Sequence, residues 1–493
     1  MHIREAMRMH DSKLSRRKLM ATGLAGGAAA AALAACGETV VEERVVTQVV
    51  EVEKVVTEVV TETVTEVESK ILEVEKIVEV ERDAGEVEIF SWWTNAGEVE
   101  ALNTLFKNLQ ASVPGIEIIN AAIAGGSGPG GNAKAILTTR MLAGEPPDSF
   151  QIHWGHELTY SHVSPNPNVE PLDDLWLEEG YFESYPEGFV ENGSFDGKVW
   201  AVPVNIHRSN VMWYDKQFFR DNPGIADPTT YESWDDAFNA FDDIKATGRA
   251  PFSIGEVRPF YTGHVLENVI LGVLGGPGYV DLFNGNSDWN GEAVTQSLEI
   301  TKTLVENYVN EDILSVDPAT AFEKIFSEGE NGGVMTINGD WAEGFYRGKG
   351  YDGQYGYARP PGTQGHYMAL CDAFTLPTGA PNPENAIAFL KVCGSQAGQD
   401  EFNHFKGSIS VGNDPNLTYF NNYQKEAISD WKNPSTFIAP SVVHGFAARQ
   451  SWITEFVNIG NTFSAEVRSG DANAVANAQA SMQRACEDSA ICT

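Results

Sequence analysis

Apolar and polar residues follow two different rhythms along this chain. Residues 37–86 use little besides Val, Glu, Thr and Lys. Apolar positions recur there at three-four spacing: Val45, Val49, Val52, Val56 and Val59, then, after a one-residue slip, Val60, Val64, Val67, Ile71, Val74 and Val78. A seam of that period with charges between predicts a helical stalk and also allows self-association. At about 1.5 Å per residue, its roughly 50 residues would reach on the order of 75 Å. The heavy β-branched content argues for strand instead; the seam is the preferred reading. The Asp83-Ala84-Gly85 step ends the segment.

Beyond it the pattern turns to strand-then-helix units. Alternation over 86–91 predicts a strand, and 98–110 carries helical periodicity. Pro114-Gly115 then breaks the chain ahead of a second strand at 116–120. A second helix, 132–143, leads through 144–148 into a third strand at 149–153. This β-α-β-α-β order predicts an α/β lobe around a largely parallel sheet. Ligands in such lobes sit beyond the carboxyl ends of the strands. Three polar-aromatic clusters fall on that rim: Ser91-Trp92-Trp93, Gln151-Ile152-His153 and Asn205-Ile206-His207. Their convergence is the main clue to a site.

Composition narrows the choices. A chain of 493 residues exceeds one ordinary domain, and 42% apolar residues with 11 Trp, 25 Phe and 15 Tyr support a large core. The formal charge of −36 is uneven: residues 1–35 carry +4, residues 37–88 carry −11, and −29 remains over 89–493. Such a surface repels nucleic acid and anionic lipid heads, and disfavours anionic substrates unless a local basic pocket overrides it. The N-terminus is basic by contrast. SRRKLM (15–20) resembles a twin-arginine export signal, and Leu33-Ala34-Ala35-Cys36 looks like a bacterial lipobox. By that resemblance Cys36 would be acylated and would become the mature N-terminus, lipid-anchored on the outer face of the bacterial cytoplasmic membrane. No other apolar stretch approaches the ~18 residues needed to span a bilayer.

Cys371, Cys393, Cys486 and Cys492 show no CxxC spacing, so a zinc knot is not expected, and neither metal nor cofactor is predicted. An exported chain permits Cys486–Cys492 or Cys371–Cys393 disulfides, with buried free thiols as an even alternative. The glycine-rich stretch 125–131 lacks a GK[ST] ending, and Lys134 comes only inside the following helix. It reads as a loop near the cleft mouth and not as a phosphate cradle. There is no HExxH pair and no GxSxG elbow.

Five segments, in order and spacing, carry a family resemblance: FSWWTN (90–95), TTRMLAGEPPDSFQIH (138–153), GKVWAVPVNIHRSNVMWY (197–214), GGVMTINGDW (332–341) and PPGTQGHYMALCDAF (360–374). Over about residues 87–490 the chain resembles the extracellular solute-binding proteins of ABC sugar importers. VPVNIHRSNVMWY, PGTQG, FNHFKGSI (402–409) and VVHG (442–445) look particularly like the glucose-binding branch. The resemblance implies a type II periplasmic-binding-protein-like clamp, two α/β lobes closing on a sugar. Its lobes would be 87–205 plus 370–425 and 206–369 plus 426–490, following a signal peptide at 1–35 and the anchored stalk at 36–86. The chain would cross between lobes near 204–210 and return near 369–373.

Sugar recognition needs flat rings for C–H faces and fixed donors and acceptors for hydroxyls. Adjacent residues on a strand face opposite ways, so Trp92 and Trp93 cannot both stack flat unless the strand ends there; the resemblance places at least one in the cleft. Glu98, at the start of the following helix, resembles the family's acidic sugar contact. Gln151 and His153 match its QxH; Asn205 and His207 repeat that spacing at the hinge, with Arg208 bracing it. Asp340 is the strongest second-lobe candidate, able to accept from two hydroxyls, with an ordinary helix N-cap as its alternative; Trp341 would pack beside it. Asp372, Lys406 and His444 match further polar positions of the family. A tryptophan of some relatives near 256–264 is replaced here by Glu256, Phe260, Tyr261 and His264, and Phe283 occupies an apparent aromatic position.

The expected function is non-catalytic: capture of a glucose-like monosaccharide or small oligosaccharide for delivery to ABC permease transmembrane subunits. A carbohydrate-cleaving enzyme using paired carboxylates among Glu98, Asp340 and Asp372 remains an alternative. So does a stalked surface adhesin.

Overall fold

The structure, a computed structural model, describes residues 49–52, 55–65, 71–80, 84–125, 130–329 and 331–488. The chain divides at residue 82 into two parts. In the first, strands Val49–Val52, Val55–Thr65 and Ile71–Val80 form an antiparallel meander, with Val56 opposite Val80 and Thr65 opposite Ile71. The expected helical stalk is therefore corrected to β-structure. All but two of the 11 residues of Val55–Thr65 are Val or Thr. Branching at Cβ restricts them against a preceding helical turn but suits a pleated strand. The export-signal and lipobox residues, Cys36 among them, lie outside the described residues, as does Cys492.

In the second part β1 (Glu86–Phe90) leads to α1 (Glu98–Ser112), whose Ala101, Leu102, Leu105, Phe106 and Leu109 make one buried stripe. β2 (Glu117–Asn120), α2 (Gly131–Ala143) and β3 (Ser149–His153) complete the expected alternation. Short helical turns intervene before β4 (Val202–Pro203), β5 (His207–Arg208) and β6 (Val211–Asp215). Then come α3 (Trp234–Ala246), α4 (Tyr261–Phe283) and α5 (Glu292–Asn307); α4 is broken by non-helical backbone at Gly275, two residues before Pro277. β7 (Met335–Asn338), α6 (Trp341–Gly348), β8 (Tyr355–Ala358), β9 (His366–Leu370) and β10 (Asp372–Thr375) follow. The chain ends with α7 (Pro383–Gly394), α8 (Gln396–Lys406), α9 (Asn422–Lys432), β11 (Phe437–Pro440), α10 (Gln450–Ser469) and α11 (Ala474–Asp488).

These strands build three sheets. The first runs β2-β1-β3-β10-β4, with β2, β1 and β3 parallel and β10 antiparallel to both β3 and β4. The second, β7-β6-β8, is antiparallel. A third sheet, β11-β9-β5, contains the two strands that stand at the crossings, β5 and β9, with the later β11 at its edge. The chain leaves the first sheet through residues 204–206 and returns to it through Cys371, which separates β9 from β10. Helices α1, α7 and α8 pack together beside the first sheet, while α4, α5, α10 and α11 pack as a group elsewhere. Cys371 and Cys393 are buried free thiols, so the bridge between them is excluded; Cys486 is disulfide-bonded. No helix among the described residues is long and apolar enough to cross a membrane.

Candidate functional site

A cavity of about 220 Å³ opens where β1 and β3 end and where β10 and α6 begin. Its wall includes Trp92, Trp93, Glu98, His153, His207, Trp341, Asp372, Lys406 and His444, nine of the twelve residues expected at a ligand. The other three, Gln151, Asn205 and Asp340, are fully buried one layer behind it and hold wall residues in place.

The two tryptophans divide the work as strand alternation requires. Trp92 is half-buried, its ring 5.1 Å from that of His153 and 5.0 Å from the Lys134 ammonium. Gly130, at φ +76°, lies flat under Trp92: a Cβ there would meet the indole at 2.7 Å, so only glycine leaves the ring its place. Trp93 is 1% exposed and packs between Phe374 and Phe402. Trp341 also lines the cavity, 5.0 Å from His444. Phe260 also lines the wall, whereas Phe283 packs away from it against Trp289 and Phe456.

Asp372 is the hub of the polar groups. Its Oδ1 accepts from Gln151 Nε2 at 2.8 Å, and its Oδ2 accepts from Asn205 Nδ2 at 2.9 Å and lies 3.2 Å from His207 Nε2. Gln151 also accepts from the Trp92 backbone N–H, tying the hub to the end of β1. The second ring nitrogen of His207, Nδ1, meets Asp340 Oδ1. A carboxylate near each nitrogen favours the charged imidazole, although the Asn205 amide nitrogen also lies 2.9 Å from Nε2. Burial opposes that charge, yet Asp340 and Asp372 hold His207 above its ordinary pKa. Burial likewise favours a neutral Asp372, and the His207 bond reverses this, holding the carboxyl well below the usual range. Asp340 sits at the N-cap of α6 but makes no side-chain cap; its Oδ2 accepts from the Arg208 backbone N–H instead. The Arg208 guanidinium lies over Tyr367 and donates to Asp430, bracing β5 from the other side.

A second network was not foreseen from sequence. Lys134 on α2 and Glu157 approach to 2.7 Å, and Glu157 Oε2 lies 2.7 Å from His153 Nδ1. Burial pushes Glu157 towards its neutral form, but Lys134 and His153 hold its carboxyl down to about 2. Its one sequence trace is the four-residue spacing of His153 and Glu157. At the rim Lys406 donates to Glu98 at 3.1 Å, and Arg258 pairs with Asp317; the last two carry no motif. Every charge at the cavity thus has an opposite partner. His444 differs: its Nδ1 meets Ser441 Oγ at 3.0 Å, while its Nε2 has no hydrogen-bond partner among the described residues.

The bacterial extracellular solute-binding protein model matches residues 95–400. An uncharacterized ABC transporter extracellular-binding protein of Pyrococcus horikoshii is 34% identical over 375 residues, 76% of this chain and 82% of that one. A xylose/arabinose-binding protein of Haloferax volcanii is 26% identical, covering 73% and 77%. Among solved structures, a bacterial solute receptor with a stated preference for β-D-galactopyranose superposes with a TM-score of 0.70 at 15% identity, covering 82% of this chain and 99% of its own. That likeness concerns the fold.

Proposed function

The chain belongs to the bacterial extracellular solute-binding proteins, and from that premise we propose that it captures an uncharged monosaccharide and passes it to the permease of an ABC sugar importer. One observation carries the reading: Trp92 and Trp341 both line a small cavity whose ionised side chains are all paired with one another. Flat rings cover a pyranose face, polar atoms meet its hydroxyls, and a charged ligand would have to break an existing ion pair. At about 220 Å³ the space falls below the ~300–1,000 Å³ of pockets for drug-sized ligands, which favours one ring over a chain.

The carbohydrate-cleaving alternative draws no support from these groups. A general acid needs a raised pKa, whereas that of Asp372 is depressed. Asp340 is committed to His207, and Glu98 to Lys406. To the same proposal belong acylation of Cys36, anchoring at the outer membrane face, and the lobes 87–205 plus 370–425 and 206–369 plus 426–490. A melting-temperature screen against hexoses, pentoses and disaccharides tests it. A hexose or pentose should raise Tm by linkage and disaccharides should not. Silence from every monosaccharide rejects the reading.

A further inference from the structure

His264 and Glu267, three residues apart on α4, meet His444 from the segment after β11. One ligating atom from each lies within 4.8 Å of the others. His264 and Glu267 are fully buried and His444 is 3% exposed. Their polar atoms are incompletely satisfied. Among the described residues His444 Nε2 has no hydrogen-bond partner, and His264 has no side-chain partner, only the Ser209 backbone near its ring. Buried groups in that condition are rare and call for an explanation. Glu267 Oε1 accepts from Tyr279 at 2.7 Å and Val442 at 2.6 Å, but Oε2 has only Ser441 Oγ at 3.2 Å.

The geometry points to a site for a divalent transition-metal cation of the Zn2+ type, held by His264, Glu267 and His444. Two imidazoles and one carboxylate form a recurrent zinc donor set, with a fourth position left open. With metal–ligand bonds of about 2.1 Å, tetrahedral donors lie about 3.4 Å apart, so closing on an ion takes a shift on the order of 1 Å. The cluster reaches the cavity wall through His444, with His264 and Glu267 behind it: Phe260 stacks on His264, and Trp341 lies 5.0 Å from His444. An ion here would staple α4 to the 441–446 segment and fix His444. No linear motif announces the site, because His444 comes 177 residues after Glu267.

The test uses the full chain stripped by a chelator and titrated with Zn2+ by calorimetry and with Co2+ by visible absorption. One ion per chain is expected, with the intense d–d bands of tetrahedral Co2+ and a raised Tm. His264→Gln and His444→Gln should each abolish uptake, while His404→Gln, on α8, should retain it. Zinc-edge X-ray absorption on the wild type should show two imidazoles and an oxygen ligand, a result independent of whether the variants fold. Failure of the stripped wild type to take up either ion, uptake surviving in both variants, or a sulfur ligand would each overturn the site.

Discussion

Trp93 is 1% exposed between Phe374 and Phe402, whereas Trp92 stands half-buried beside His153 at the cavity, so truncating each should cost something different. Trp93→Ala should lower unfolding free energy by about 3–5 kcal/mol through the cavity it leaves. Trp92→Ala should leave unfolding nearly unchanged and weaken monosaccharide binding tenfold or more, about 1.4 kcal/mol. Denaturant melts and calorimetric titration separate the two outcomes. Asp372→Asn removes the carboxylate facing His207 and should destabilise by about 3–5 kcal/mol, as for a broken buried pair; chemical denaturation reads it. Sequence reasoning located the wall side chains because each stands at a strand or helix end within a recognisable segment. Its limit shows at Asp340: a carboxylate 133 residues away from His207 in sequence carries no local sign that it will pair with the imidazole. Lys134 and Glu157 were missed for the same reason.

At the scale of elements, local pattern was informative wherever burial had one side. The strand expected at 149–153 and the helix expected at 132–143 correspond to β3 and α2, because α2 is bounded by left-handed glycines at 130 and 144. The helix of 98–110 runs two residues further, to Ser112. Residues 37–86 misled because one valine-rich sequence satisfies a three-four spacing and a β-preference together. No local signal arbitrates between them. The paired strands at 49–80 decide for the latter. Deleting residues 37–82 should therefore remove β-type far-ultraviolet circular dichroism from the full chain. A loss of helical minima at 208 and 222 nm, on the order of ~50 residues' worth, would refute the meander. The break in α4 at Gly275 had a visible cause, since Pro277 cannot continue a helical ladder.

For the molecule as a whole, the two crossings at 204–206 and Cys371 bring His207 between Asp340, beside the second sheet, and Asp372 in the first. Residues far apart in sequence are thus held by ionised buried groups, and their titration belongs to the stability of the entire 83–493 part. Glu157 gives the direction. Its carboxyl is held near 2 in the fold, against about 4.3 in an unfolded chain. A depressed folded pKa contributes stability that is complete above the unfolded value and disappears as pH falls through the folded one. Asp372 is shifted in the same direction and adds to the slope. The part of the stability that Glu157 supplies should therefore be constant from pH 7 to about 5 and be lost between about 4.3 and 2, read as the Tm difference between wild type and a variant that cannot titrate there. Glu157→Gln cannot titrate, so its Tm should start lower at pH 7, with Lys134 left unpaired. It should then converge on the wild type as the pH approaches 2. Parallel Tm curves for wild type and variant across that window would show that Glu157 enters the fold without the depressed carboxyl its neighbours imply.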